Sequence, residues 1–276
     1  MQKSYLWTSL QARLQLIQTI PGANFNWFFL PGGPGMGSES LASLTTLLKL
    51  PGSMWYLDLP GDGSNLTAND TKAFANWSEA LVEAVSALEN VILVAHSTGG
   101  MYALATPELE NKLTGLVLMS SAPDSSWQQH FMKYVQSNPI AQAEKLNEAY
   151  AKKPNNDTLK KLTILSAPYL FTEKGLPEDL SFLENLPYNF RTCEWSALHF
   201  DSVYKAKWVP KKLPTLIFAG EKDYVTPLHL FTQSNDFQRE NITIRAIEHA
   251  AHFPWIENPE QVVEVFNDYA QQLLNR

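Results

Sequence analysis

The 276-residue chain is poor in cysteine, charge and long apolar runs, and each shortage excludes a class of protein. Cys193 is the single cysteine, so no intrachain disulfide can form and nothing points to an oxidising compartment. Charged residues make up only 18%, and 28 acids against 21 bases leave a formal net charge of −7. An acidic chain without basic runs is a poor partner for nucleic acid or an anionic membrane. No apolar run approaches the roughly 20 residues of a membrane-spanning helix. The opening MQKSYLWTSLQARLQLIQ lacks the uninterrupted apolar core of a signal peptide. Repeats and low-complexity segments are also missing. These absences lead us to expect a soluble, cytoplasmic protein, and they leave its state, monomer or homodimer, open.

Hydrophobic residues, at 45%, supply ample material for a core. They come as short runs closed by turn residues. Residues 4–10 and 12–20 alternate and suggest an N-terminal hairpin. NFNWFFL ends at PGGPGMG, SMWYLDL at PGDGSN, and VILVA at a serine. Further on, LTGLVLMS, PTLIFA and NITIRAI end at SAPDSS, GEKDYVTP and EHAAHFPW. Nearly continuous short strands indicate a sheet buried on both faces, hence mostly parallel. Helical spacing over 77–88 and 259–274 alternates with them, which gives a doubly wound α/β fold.

From 123 to 207 no strand pattern occurs. Helical spacing follows Asp124-Ser-Ser, with Trp127 and Phe131 on one side, and recurs over 140–152, 157–166 and 191–204. This aromatic-rich stretch is expected to form a helical cap inserted into a core of residues 1–122 and 208–276. Trp127 and Trp195 are its candidate substrate-binding side chains.

The run VILVAHSTGG carries the chemistry. A strand that reaches small-x-Ser-x-Gly and then starts a helix is a nucleophile elbow, whose sharp turn needs small residues two before and two after the serine. Here they are Ala95 and Gly99. Ser97 alone could equally be a helix-capping serine. A hydroxyl becomes a useful nucleophile only beside a base that an acid orients, and this elbow requires the order serine, acid, histidine. Asp223 follows one strand and His252 the last, both at the sheet edge where α/β folds place their sites. His249, nearer the strand end, and Asp124, after an earlier strand, are the alternatives; His252, on the loop entering the final helix, and Asp223 are favoured. His96 is expected to point away, and His130, His199 and His229 to be surface or packing residues.

Acyl transfer also needs donors for a developing oxyanion. The Thr98 amide is one. The loop PGGPGMG supplies the second, assigned to Gly33. It lacks the lysine of a phosphate-binding P-loop and the spacing of a dinucleotide fingerprint. PGDGSN is expected to be structural. No metal or other cofactor is expected.

Together these residues resemble the α/β-hydrolase superfamily over nearly the whole chain. GGPG, the run Asp58-Leu-Pro-Gly-Asp-Gly-Ser64 and the ending AHFPWIENPE are similar to its proline iminopeptidase-like and small-molecule hydrolase branches. Pro31 stands where iminopeptidases carry a histidine, and AHSTGG replaces their Gly-Gly-Ser-Trp-Gly. These departures weaken a peptidase assignment and leave a hydrolase one intact. Glu184, Glu194 and Asp201 are available as the cap acids that iminopeptidases use for a substrate amine. Serine at the elbow implies an acyl-enzyme, where the aspartate of dehalogenase and epoxide-hydrolase relatives does not. The resemblance therefore implies a serine hydrolase of small esters, thioesters or related carbonyl compounds. It leaves open an aminopeptidase, and beyond hydrolysis a cofactor-free perhydrolase or oxidative enzyme, or a non-enzymatic ligand receptor.

Overall fold

The apolar runs become the strands of one sheet in the computed structural model, which describes residues 4–66, 73–176 and 180–276. The strands are β1 (Tyr5–Trp7), β2 (Arg13–Ile20), β3 (Asn26–Leu30), β4 (Gly52–Asp58), β5 (Val91–His96), β6 (Gly115–Met119), β7 (Thr215–Gly220) and β8 (Ile242–Ile247). Their order is β1-β2-β4-β3-β5-β6-β7-β8. β1 and β2 form the expected antiparallel hairpin, which joins the sheet antiparallel to β4. Every other pairing is parallel.

The alternation along β3 shows why the sheet is covered on both sides. Trp27 and Phe29 belong to one core cluster with Ile92, Val94, Val117 and Met119. Phe28 and Leu30 belong to the other with Leu93, Ala95, Leu116 and Leu118. The helix Trp77–Val85 packs Leu81 and Val85 into the second cluster, and the helix Pro259–Leu274 packs Val262, Phe266 and Leu273 into the first. Truncating such a core residue as Phe266 to alanine costs about 3–5 kcal/mol. The helix expected over 77–88 stops three residues early, where the Ser86 hydroxyl bonds back to the Val82 carbonyl.

After β3 the chain crosses to β4 on one side, then returns to place β5 on the other. The strand order therefore reverses beside β3, and the loops after β3 and β5 diverge from that point. Such a switch point leaves a crevice at the carboxyl ends of the strands.

Between β6 and β7 the described residues contribute no strand to the sheet. Helices occupy Trp127–Ser137, Ala141–Lys152, Asn156–Leu165 and Phe190–Ser196, with shorter turns between. The helix expected to reach 204 passes instead into a π-type turn at Ala197–Asp201. Tyr204 and Lys205 leave it because they pair with the start of the region: Ser125 N–H donates to the Tyr204 carbonyl, and Ala206 N–H to that of Pro123. Among the described residues no helix is long and apolar enough to cross a membrane.

Candidate active site

β5 runs fully buried into Ser97, which adopts φ 52° and ψ −122°, a conformation outside the ordinary regions for an L-residue. The surroundings hold it there. Its N–H donates to the Met119 carbonyl at 2.9 Å, and its carbonyl accepts the Ser121 hydroxyl at 2.9 Å. The helix Thr98–Ala105 starts at once, so its amide end lies beneath the hydroxyl. Packing is close on both flanks: a Cβ on Gly99 would sit 2.4 Å from the Pro31 carbonyl oxygen, and one on Gly32 would sit 2.5 Å from Ser97 Cβ.

The loops after β7 and β8 bring two more side chains to this edge. His252 Nε2 lies 3.2 Å from Ser97 Oγ, and its Nδ1 lies 3.0 Å from Asp223 Oδ2. A carboxylate only accepts, so Nδ1 carries the proton and Nε2 is left to accept from the serine hydroxyl. Asp223 also accepts from the Val225 and Thr226 amides at 2.9 and 3.0 Å and from the Thr226 hydroxyl at 3.1 Å. Burial alone would raise its carboxyl. The adjacent His252 and the hydrogen bonds outweigh that and hold it below the ordinary carboxylate range. The His252 N–H is itself tied to the Leu170 carbonyl at 3.1 Å, so the helical region steadies the imidazole loop.

The alternatives stand elsewhere. The His249 side chain is 82% exposed and faces Glu221, whereas that of His252 is 6% exposed. Asp124 accepts from Ser126 N–H at 2.9 Å, and its backbone forms an antiparallel bridge with that of Lys205. The rings of His130 and His229 meet edge to face at 4.8 Å, and His199 lies beside Trp195.

His96 departs from expectation. Its position at the elbow predicts a ring turned away from the site, yet it is buried, with its ring 4.9 Å from that of His252 and 5.0 Å from that of Trp255. Its Nε2–H donates to the His252 carbonyl at 3.1 Å. Burial, reinforced by His252, pushes its pKa down to about 3, so the ring is neutral. Nothing local in the sequence signals this contact, which depends on the final loop folding over the elbow.

A cavity of about 220 Å³ opens beside the serine hydroxyl. Gly32, Gly33 and Thr98 line one part, and Met101, Trp127, Phe131, Leu170, Val225 and Phe253 supply apolar wall. Among the described residues the Gly33 and Thr98 amides have no hydrogen-bond acceptor within the protein. Trp195 does not reach this cavity. Its ring packs edge-on against Phe74 at 5.6 Å, because the helix Phe190–Ser196 docks on the turn after β4. Phe131, one turn beyond Trp127, lines the wall instead. Among the described residues no Asp, Glu, Lys or Arg lines the cavity, and Glu184, Glu194 and Asp201 lie outside it. Among the described residues no group of three His, Cys, Asp or Glu side chains is arranged to hold a metal ion.

A model of the alpha/beta hydrolase family matches residues 27–265. Among solved structures, an alpha/beta fold family hydrolase from Bacillus anthracis is similar at 17% identity and TM-score 0.71, covering 98% of each chain. A proline iminopeptidase-related protein from Thermus thermophilus is similar at 19% identity and TM-score 0.70, covering 100% of this chain and 99% of that one. An esterase from Exiguobacterium antarcticum is similar at 16% identity and TM-score 0.70, covering 97% and 99%. At such identities the likeness is one of fold. The comparison with curated proteins finds no match.

Proposed function

The chain belongs to the alpha/beta hydrolase family, and on that footing we propose that it is a serine hydrolase cleaving a small, uncharged ester or related carbonyl compound through an acyl-enzyme on Ser97. The observation that carries this reading is the continuous relay from Ser97 Oγ through His252 to Asp223, at 3.2 and 3.0 Å.

In the first half-reaction Ser97 Oγ bonds to the carbonyl carbon while its proton passes to His252 Nε2. Asp223 keeps the tautomer and stabilises the imidazolium. The carbonyl oxygen gains negative charge and takes hydrogen bonds from the Gly33 and Thr98 amides. A single donor of this kind is worth about 3 kcal/mol of barrier. The tetrahedral intermediate collapses, the carbon–oxygen bond to the alcohol breaks, and His252 gives its proton to the departing oxygen. Water repeats the sequence on the acyl-enzyme and releases the acid. The helical region acts as a cap, through Trp127, Phe131 and Leu170, and keeps bulk solvent off the developing oxyanion while admitting the hydrolytic water.

The character of the cavity favours an ester over an amino-terminal peptide. At about 220 Å³ it is smaller than the roughly 300–1,000 Å³ of drug-sized ligand sites. Among the described residues that line it there is also no carboxylate to hold a substrate ammonium group. The test is a panel of p-nitrophenyl esters of increasing acyl length beside prolyl and alanyl anilides. We expect turnover of short-chain esters with a burst of nitrophenol. Faster cleavage of prolyl anilide would favour the aminopeptidase, and ligand binding without turnover a receptor.

A further inference from the structure

The loop that carries Gly33 has no regular structure of its own, and Gly33, Gly35 and Gly37 all take positive φ. Its shape must be set from outside. Two acids on the neighbouring strand end provide the acceptors. Asp58 Oδ1 accepts from Ser38 N–H at 2.7 Å and closes the far end of the loop. Asp62 Oδ1 accepts from Gly35 N–H at 2.7 Å and from Gly37 N–H at 3.2 Å, two and four residues beyond Gly33.

The base beneath Asp62 is fixed. Asp62 N–H donates to the Leu59 carbonyl and Asn65 N–H to that of Asp62, at 3.0 and 2.8 Å. The helical region clamps the same turn, since Thr192 Oγ1–H and the Asn189 amide both donate to the Gly61 carbonyl. Asn189 N–H also donates to the Gly35 carbonyl at 2.8 Å.

The two acids differ in their compensation. Arg13 pairs with Asp58 at 2.7 Å. Among the described residues no cation pairs with Asp62, although it is only 4% exposed. An unpaired buried acid is costly, and packing alone gives no reason for one here. What it supplies is a single oxygen reaching two amides of the glycine loop. We infer that Asp62 is a positioning residue for the oxyanion site, holding the Gly33 amide at the place where the transition-state oxygen develops; this rests on the serine-hydrolase reading above.

Burial, reinforced by Asp58 and Glu39, pushes the Asp62 carboxyl up to about 7. Both protonation states are then populated at neutral pH, and in either Oδ1 keeps lone pairs for the two amides. A neutral carbonyl in the same place can therefore do the work.

The experiment compares wild type, Asp62→Ala and Asp62→Asn for kcat and KM on a short-chain p-nitrophenyl ester, and for inhibition by an alkyl boronic acid, whose tetrahedral adduct on Ser97 occupies the oxyanion site. Asp62→Ala should lower kcat about 10- to 100-fold, with KM within about threefold, because a displaced donor acts only on the transition state. Boronate affinity should fall by a similar factor, and Asp62→Asn should recover most of both losses. Should Asp62→Ala fail to fold, Asp62→Ser, whose hydroxyl is one bond too short to bridge both amides, must show the same pattern. An active wild type whose kcat and boronate affinity survive these substitutions, or a loss confined to KM, overturns this inference alone. A wild type without ester turnover sinks the parent reading and this one with it.

Discussion

His96 Nε2–H donates to the backbone carbonyl of His252 at 3.1 Å, so the residue before the elbow serine holds the loop of the imidazole that faces that serine. The ring is also wedged between His252 and Trp255. His96→Ala should lower kcat about tenfold or more by letting the imidazole drift from Ser97. Because burial keeps His96 uncharged down to about pH 3, it contributes no ionisation near neutrality. The kcat/KM profile of His96→Gln between pH 5 and 8 should keep the wild-type shape. A changed shape would mean that His96 itself exchanges a proton in the reaction.

The two histidines of the last loop should behave oppositely. His252→Ala removes the proposed base and should reduce kcat by roughly 10³-fold or more. His249→Ala removes an exposed side chain beside Glu221 and should stay within about threefold of wild type. Steady-state rates on one activated ester decide this, and the reverse ranking would reassign the base.

Gly32→Ala tests how tightly the glycine loop rests on the elbow. The added Cβ would lie 2.5 Å from Ser97 Cβ and 2.8 Å from the His96 carbonyl oxygen, and backbone cannot yield as a flexible side-chain tip does. The substitution should cost about 1–3 kcal/mol in denaturant unfolding and most of the activity. Wild-type stability with wild-type kcat would show the contact to be looser than described.

Asp62 makes a prediction about stability as well. Its folded-state pKa of about 7 lies above the ordinary 3.8, so folding favours the protonated form. The stabilisation is complete below the ordinary value and is lost as pH rises from about 4 to about 7. Asp62→Asn carries no such proton. The melting temperature of the variant should therefore gain on wild type as pH is raised from 5 to 8, which differential scanning at several pH values would detect. A constant difference across that range would contradict it.

Much of this architecture is legible in the linear chain because strands announce themselves locally. Runs such as VILVA and PTLIFA need no partner to be recognised as doubly buried, and the residues just past them fall at the sheet's carboxyl edge. That placement predicts that Ser97, Asp223 and His252 converge, and the geometry brings them within hydrogen-bond reach. What stays hidden depends on how distant segments pack. His96 meets His252 across 156 positions. Trp195 is drawn toward Phe74 because its helix docks on Gly61 through Thr192, a docking that helical spacing does not encode. The acid between two glycines in PGDGSN reads as an ordinary turn until the Gly35 and Gly37 amides are found on its oxygen.

If its neighbours make Ser97 a nucleophile, the hydroxyl can be captured covalently. Purified protein is incubated with a fluorophosphonate and its intact mass measured, followed by peptide mapping. We predict one phosphonyl group per chain, on Ser97, absent in Ser97→Ala and strongly slowed in His252→Ala. An unmodified wild type, or equal labelling of Ser97→Ala, would mean that Ser97 is not an activated nucleophile.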